Sequence, residues 1–161
     1  TPLVTTPEEP WAALRDDVVA PFTEEFVFRA CLVRLCVAAS LPTSQVIFCS
    51  PLCFALAHAH HFVDHVRRLD NKQLALAHVA FQLFYTSLFG VYSTFLLLRT
   101  GSTVAVILAH SFCNHQGFPD LGFLVSRSHL LYPHRAWLGV MYVMGILAFC
   151  WLIVPLTEGF A

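Results

Sequence analysis

"LALAHVAFQLFYTSLFGVYSTFLLL", residues 74–98, contains no Asp, Glu, Lys or Arg. Wound as a helix it is about 37 Å long, enough to cross a hydrocarbon core of about 30 Å. "AWLGVMYVMGILAFCWLIVPL", residues 136–156, is a second uncharged run of membrane-spanning length. The composition of the 161-residue chain agrees: 57% of residues are hydrophobic, 12% are charged and the mean hydropathy is +0.67. Soluble domains carry about 25% charged residues. The expected fold is therefore an all-α, polytopic membrane helical bundle, with residues 1–161 forming a single membrane domain.

The remaining apolar stretches carry polar residues. Residues 22–39, 43–66 and 102–116 are expected to be helical, and Pro51 should kink the second of them. Between them and the last run lies "GFPDLGFLVSRSHLLYPHR", residues 117–135, where Gly117, Pro119 and Pro133 predict an interfacial loop. The net charge of −1 and the lack of a basic stripe argue against nucleic acid as a partner. Cys31, Cys36, Cys49, Cys53, Cys113 and Cys150 all sit in apolar runs without CxxC spacing and are expected to be free thiols. No basic segment followed by a short apolar core precedes the first helix, so a signal peptide is not expected.

Cations orient the chain. If every segment crosses, Arg67, Arg68 and Lys72 fall on the same side as Arg127 and Arg135, while only Arg99 lies between the third and fourth segments. The cation-rich side should be cytoplasmic, with the N-terminus. Glu24 opens the first segment, His58 lies toward the end of the second, and His110 and Asn114 toward the end of the fourth. All approach the membrane from that side, which predicts an intramembrane site open to the cytoplasm.

The chemistry centres on "PFTEEFVFRAC", residues 21–31. A charge near the bilayer centre costs roughly 2.5–3.5 kcal/mol, so Glu24, Glu25 and Arg29 call for a reason. On a helix Glu25 and Arg29 are four apart and about 40° offset, close enough to pair, while Glu24 is rotated about 100° away. Glu24 is thus the carboxylate without a partner on its own helix and the better candidate for a general base. The alternative is a structural ion-pair network of both glutamates with Arg29 and Arg34. In "FALAHAHHFVDH", residues 54–65, His58, His61 and His65 share a face and could assist a base, hold a metal or simply pack. In "HSFCNH", residues 110–115, His110 and Asn114 lie at i and i+4, suited to hold a developing oxyanion or to bond between helices.

Taken in order, "EEFVFR", "FALAH" and "HSFCN" resemble the EExxxR, FxxxH and HxxxN motifs of the type II CaaX-processing endopeptidases, the Ras-converting branch of a larger family of membrane proteases and bacteriocin-protection proteins. The resemblance spans residues 24–114. It implies a multi-pass protein of the endoplasmic reticulum membrane that removes the last three residues from prenylated CaaX proteins, Ras-type small GTPases among them. It further implies that Glu24 with His58 activates a water, that His110 with Asn114 stabilises the oxyanion, and that Glu25 and Arg29 support the first motif. No cofactor and no metal is expected. Members usually have further helices upstream of the first motif, so the chain is expected to be the motif-bearing C-terminal part of a longer protein. Two other classes compete: a His-rich membrane metalloenzyme acting on lipid or peptide, and a non-catalytic scaffold or transporter whose charged residues line a path. HExxH and GxSxG are both absent from the sequence.

Overall fold

A computed structural model describes residues 10–57 and 72–158. The first helix, α1, is a run of consecutive segments, Pro10–Leu14, Arg15–Val19, Ala20–Glu25, Phe26–Val33 and Arg34–Ala38. The residues at each junction keep right-handed helical angles, so the segments form one rod. Arg15–Val19 and Phe26–Val33 are wound as π-helix; in the first, the Ala20 N–H reaches back five residues to the Arg15 carbonyl. Such widened turns are frequent at functional sites, and here they flank Ala20–Glu25 on both sides. The sequence pattern placed the helix start near residue 22, twelve or so residues late, because Arg15, Asp16 and Asp17 interrupt the apolar pattern that marks a buried segment.

Next come α2 (Thr43–Ala57), α3 (Lys72–Thr100), α4 (Thr103–Gln116), the short α5 (Gly122–Val125), a 3₁₀ turn (Tyr132–His134) and α6 (Arg135–Leu156). No strand occurs among the described residues, and the chain is an all-α membrane protein. By length and composition α3 and the span Tyr132–Leu156 can each cross a bilayer. No residue of α6 is buried, and Trp137, Met144, Leu147 and Trp151 are all exposed. An apolar face of this extent is stable against hydrocarbon and not against water. Helices suit that solvent because they satisfy their backbone groups internally. Links across to α3 are few: Arg99 donates to the Val154 carbonyl at 3.0 Å and to the Thr157 hydroxyl at 3.2 Å, and Tyr92 meets Phe149.

α2 packs on α3 through a close approach. The helix runs on through Pro51, which is buried and lies against Gly90 of α3. A Cβ added at Gly90 would sit 2.6 Å from the Pro51 Cβ, and the pyrrolidine ring cannot rotate away. Small residues at helix contacts are the usual means of tight packing in membranes. Gly90→Ala is therefore expected to destabilise the bundle by about 1–3 kcal/mol through overpacking. Thermal unfolding in detergent checks this, and an unchanged midpoint would mean that α2 and α3 can part without loss.

The short links 39–42 and 101–102 close one end of the bundle, where Val33, Val46, Leu97 and Val106 form an aliphatic core. α4 starts there, with the Ser102 side chain accepting from the Ala105 N–H at 3.2 Å, and stops at Gly117, whose φ of +65° suits a residue without a Cβ. Its 14 residues make a rod of about 21 Å, shorter than a hydrocarbon core. Residues 102–116 are thus helical as expected but too short to cross alone. The 117–135 region, expected to be a loop, contains the short helix α5 and the 3₁₀ turn Tyr132–His134 between its irregular stretches. Asp120 accepts from the Gly122 N–H at 2.8 Å and pairs with His129 Nε2 at 3.1 Å, and these two contacts hold its carboxyl below the ordinary range.

Candidate active site

The polar residues gather in the half of the bundle away from the aliphatic core. Glu25 and Arg29 are 0% and 1% exposed and form the expected pair, with Oε2 3.1 Å from Nε. The guanidinium carbon of Arg29 lies 4.3 Å from the ring centre of Phe54 and 5.9 Å from that of Phe89. Arg29 Nη1 and Nη2 have no hydrogen-bond partner among the described residues. The aromatic faces therefore supply much of the visible compensation for its burial.

α4 brings His110 onto this pair. Its Nδ1 is 2.7 Å from Glu25 Oε1, and its Nε2 is 3.8 Å from Glu24 Oε2. The two adjacent carboxylates thus straddle one imidazole. The ring packs against Phe89 at 4.8 Å and Phe54 at 6.2 Å. An ionised carboxylate only accepts hydrogen bonds, so its contact places a proton on Nδ1. A neutral ring then presents a lone pair at Nε2, and a cationic ring presents an N–H. The distance of 3.8 Å is too long for a direct hydrogen bond, yet one oxygen atom about 2.8 Å from each group could touch both.

Asn114, one turn beyond His110, donates from Nδ2 to the backbone carbonyl of Asp16 at 2.8 Å. The next residue pairs with the next: His115 Nδ1 lies 3.0 Å from Asp17 Oδ2. Both contacts fall on the first π-wound segment of α1. Glu24, His110 and Asn114 line one side of a cavity of about 660 Å³, with Phe81, Tyr85 and Phe118 on another part of its wall. That volume falls in the range of small-ligand sites.

Of the residues singled out in the sequence, Glu24, Glu25, Arg29, His110 and Asn114 come together. His58 lies outside the described residues, with His60, His61 and His65. Glu24 faces the His110 ring across the bundle, its Oε2 3.8 Å from Nε2. Among the described residues no ion pair joins Arg34 to a glutamate, and its Nη2 points at the Gly101 carbonyl, 3.4 Å away. Asn114 is engaged with α1 through one of its two amide hydrogens rather than held beside His110 alone. The Glu25–His110 bond joins residues 85 positions apart and has no signal in local spacing; nor do the roles of Asp16 and Phe89. The phenylalanine of "FALAH" was visible as part of a motif, and only the structure gives it the Arg29 guanidinium to cover. Among the described residues no group of three or more His, Cys, Asp or Glu side chains is placed to hold a metal ion.

The fold and site define a class: an all-α membrane protein with a buried carboxylate–imidazole–arginine cluster opening on a cavity. Within that class the chain belongs to the Rce1-like type II CAAX prenyl endopeptidase family, which matches residues 6–115 and so takes in Glu24, Glu25, Arg29, His110 and Asn114. Over 146 residues it is 39% identical to the human protein named CAAX prenyl protease 2, an alignment covering 90% of this chain and 43% of that protein. The protein of the same name from Arabidopsis thaliana is 37% identical over 89% of this chain and 44% of its own length. That from Caenorhabditis elegans is 41% identical over 68% of this chain and 41% of its own. The chain thus spans less than half the length of these relatives. No solved structure matches it.

Proposed function

We propose that this chain carries the active site of an endopeptidase that cuts the bond after a prenylated cysteine and releases the C-terminal tripeptide of a CaaX protein. The single observation behind this reading is the His110 imidazole held between Glu24 and Glu25 at the edge of a cavity. The relatives named CAAX prenyl protease 2 supply the substrate class.

In the proposed mechanism Glu24, partly exposed to the cavity, takes a proton from a water molecule. The resulting hydroxide attacks the scissile carbonyl carbon, and the carbonyl π electrons move to its oxygen. His110 Nε2–H and the second amide hydrogen of Asn114 hold that oxyanion. Collapse of the tetrahedral species breaks the C–N bond, and Glu24 returns its proton to the leaving amine. The products are a prenyl-cysteine carboxylate and a free tripeptide. His58 shares the water with Glu24 on the strength of the FxxxH motif.

For His110 to donate from Nε2 while Nδ1 donates to Glu25, the ring is an imidazolium. In that form the charges balance, two negative on Glu24 and Glu25 against two positive on Arg29 and His110. A neutral cluster is the least costly arrangement in a medium of low dielectric constant. Glu25 and Arg29 act at one remove, fixing the orientation and protonation of the ring, much as an outer carboxylate orients a catalytic histidine elsewhere. The cleavage site faces the cytoplasmic side in this proposal, since the cavity lies at the end of α4 where the loop with Arg127 and Arg135 begins. The endoplasmic reticulum membrane is the proposed location, and prenylated Ras-type GTPases are proposed substrates.

The test is cleavage of a farnesylated CaaX peptide by the membrane-embedded protein, at the full length of its relatives, with and without a strong chelator. Activity should persist in the chelator. Loss that zinc or iron restores would replace the glutamate–water mechanism with a metal-dependent one.

A further inference from the structure

The mechanism uses one side of the cavity and leaves an aromatic wall without a role. Phe81, Tyr85 and Phe118 meet one another pairwise, with ring centres 5.6 Å, 5.2 Å and 6.2 Å apart. Phe81 is 49% and Phe118 62% exposed, so the cluster is no buried core. All three line the cavity that holds Glu24 and His110. Two come from α3, and Phe118 comes from the turn after α4, where Gly117 at φ +65° redirects the chain.

Position along the cavity is set by the pairing of α3 and α4. These helices are antiparallel across the two-residue link at 101–102, with Phe89 against His110 and Phe81 against Phe118. Phe81 and Phe89 are eight residues apart on one helix, about 12 Å. An extended peptide advances about 3.3 Å per residue, so the third residue beyond a scissile bond at His110 lies about 10 Å away. The wall therefore stands at the distance of the last residue of a leaving tripeptide.

Direction follows from solvent. The wall lies where α4 ends and the loop that carries Asp120 and Arg127 starts. A free terminal carboxylate belongs near water and cations, whereas every CH₂ of an isoprenoid favours staying in lipid. We propose that Phe81, Tyr85 and Phe118 receive the side chain of the C-terminal residue of the substrate and set which residue is accepted there. The proposal rests on the peptide-cleaving reading above and adds the part of the substrate that this wall contacts.

Two measurements test it. In the first, kcat/KM is compared for farnesylated peptides ending in Met, Phe, Ser or Ala, in wild type, Phe118→Ala, Phe118→Leu and Phe81→Ala. Truncation should lower kcat/KM about 10- to 100-fold for Met and Phe endings, as for a hydrophobic pocket losing contact area. It should change Ser and Ala endings by less than about threefold, and Phe118→Leu should recover part of the loss for Met. An equal loss for all four endings overturns the proposal in favour of a structural role. So does an effect that instead follows farnesyl against geranylgeranyl, which would seat the isoprenoid at the wall. In the second, a farnesylated peptide ending in p-benzoylphenylalanine is photolysed with the inactive Glu24→Gln protein and the adduct mapped. Label at residues 81, 85 or 118 supports the proposal, and label confined to other positions overturns it. Wild type that cleaves no prenylated peptide while the adduct still forms at the wall would overturn the protease reading and leave only binding.

Discussion

Glu24→Gln is expected to lower kcat for a farnesylated CaaX peptide by about 10²–10⁴-fold, the usual contribution of a positioned general base. The amide keeps the size of the side chain but cannot take a proton from water. It sits at the cavity edge, 29% exposed, where solvent screens the loss of its charge. The melting temperature in detergent should therefore stay within about a degree or two of wild type, as for a substitution away from a packed core. Full activity in Glu24→Gln would remove this residue as the base whatever its motif suggests. A low activity accompanied by a large loss of stability would instead place it in the structural cluster with Glu25.

Arg29→Ala has the opposite profile. The guanidinium is the only described partner that Glu25 Oε2 has, and both side chains are sealed from solvent. Removing one member of a buried pair leaves the cluster with an uncompensated charge, a loss of about 3–5 kcal/mol. It also opens a hole against Phe54 and beside Gly90, where an added Cβ would lie 3.4 Å from Nη2. The expected result is a marked fall in the thermal midpoint and in folded yield. Arg29→Lys keeps the charge but not the flat face that covers Phe54, and should fall between the two. Glu25→Ala should destabilise similarly and also free His110 Nδ1. An unchanged midpoint with lost turnover in Glu25→Ala would move that residue from support into the chemistry itself.

Several features could be read without coordinates because they are local. A run without charges is long enough to span a membrane wherever it folds, so residues 74–98 and 136–156 announced helices that the structure draws as Lys72–Thr100 and Arg135–Leu156. The Glu25–Arg29 pair followed from a separation of four residues on any helix. Gly117 and the prolines after it marked the end of α4 for similar reasons. The start of α1 was missed because charge interrupts the apolar pattern around residues 15–17, and nothing local announces a π-wound turn.

Other features depend on which helices touch. No spacing rule links Glu25 to His110, or Asn114 to the Asp16 carbonyl, since each pair is brought together by the packing of α4 on α1. The same packing brought the His110 ring to Glu24. The sequence by itself determined a helical membrane protein, a family, and the residue types on which the proposed hydrolysis draws. The tertiary structure decided which nitrogen of His110 each glutamate faces, what covers Arg29, and where an aromatic wall stands relative to the reacting groups. Local spacing carries the first set because helix geometry repeats along any chain. The second set rests on contacts between distant segments, and these exist only once the helices have packed.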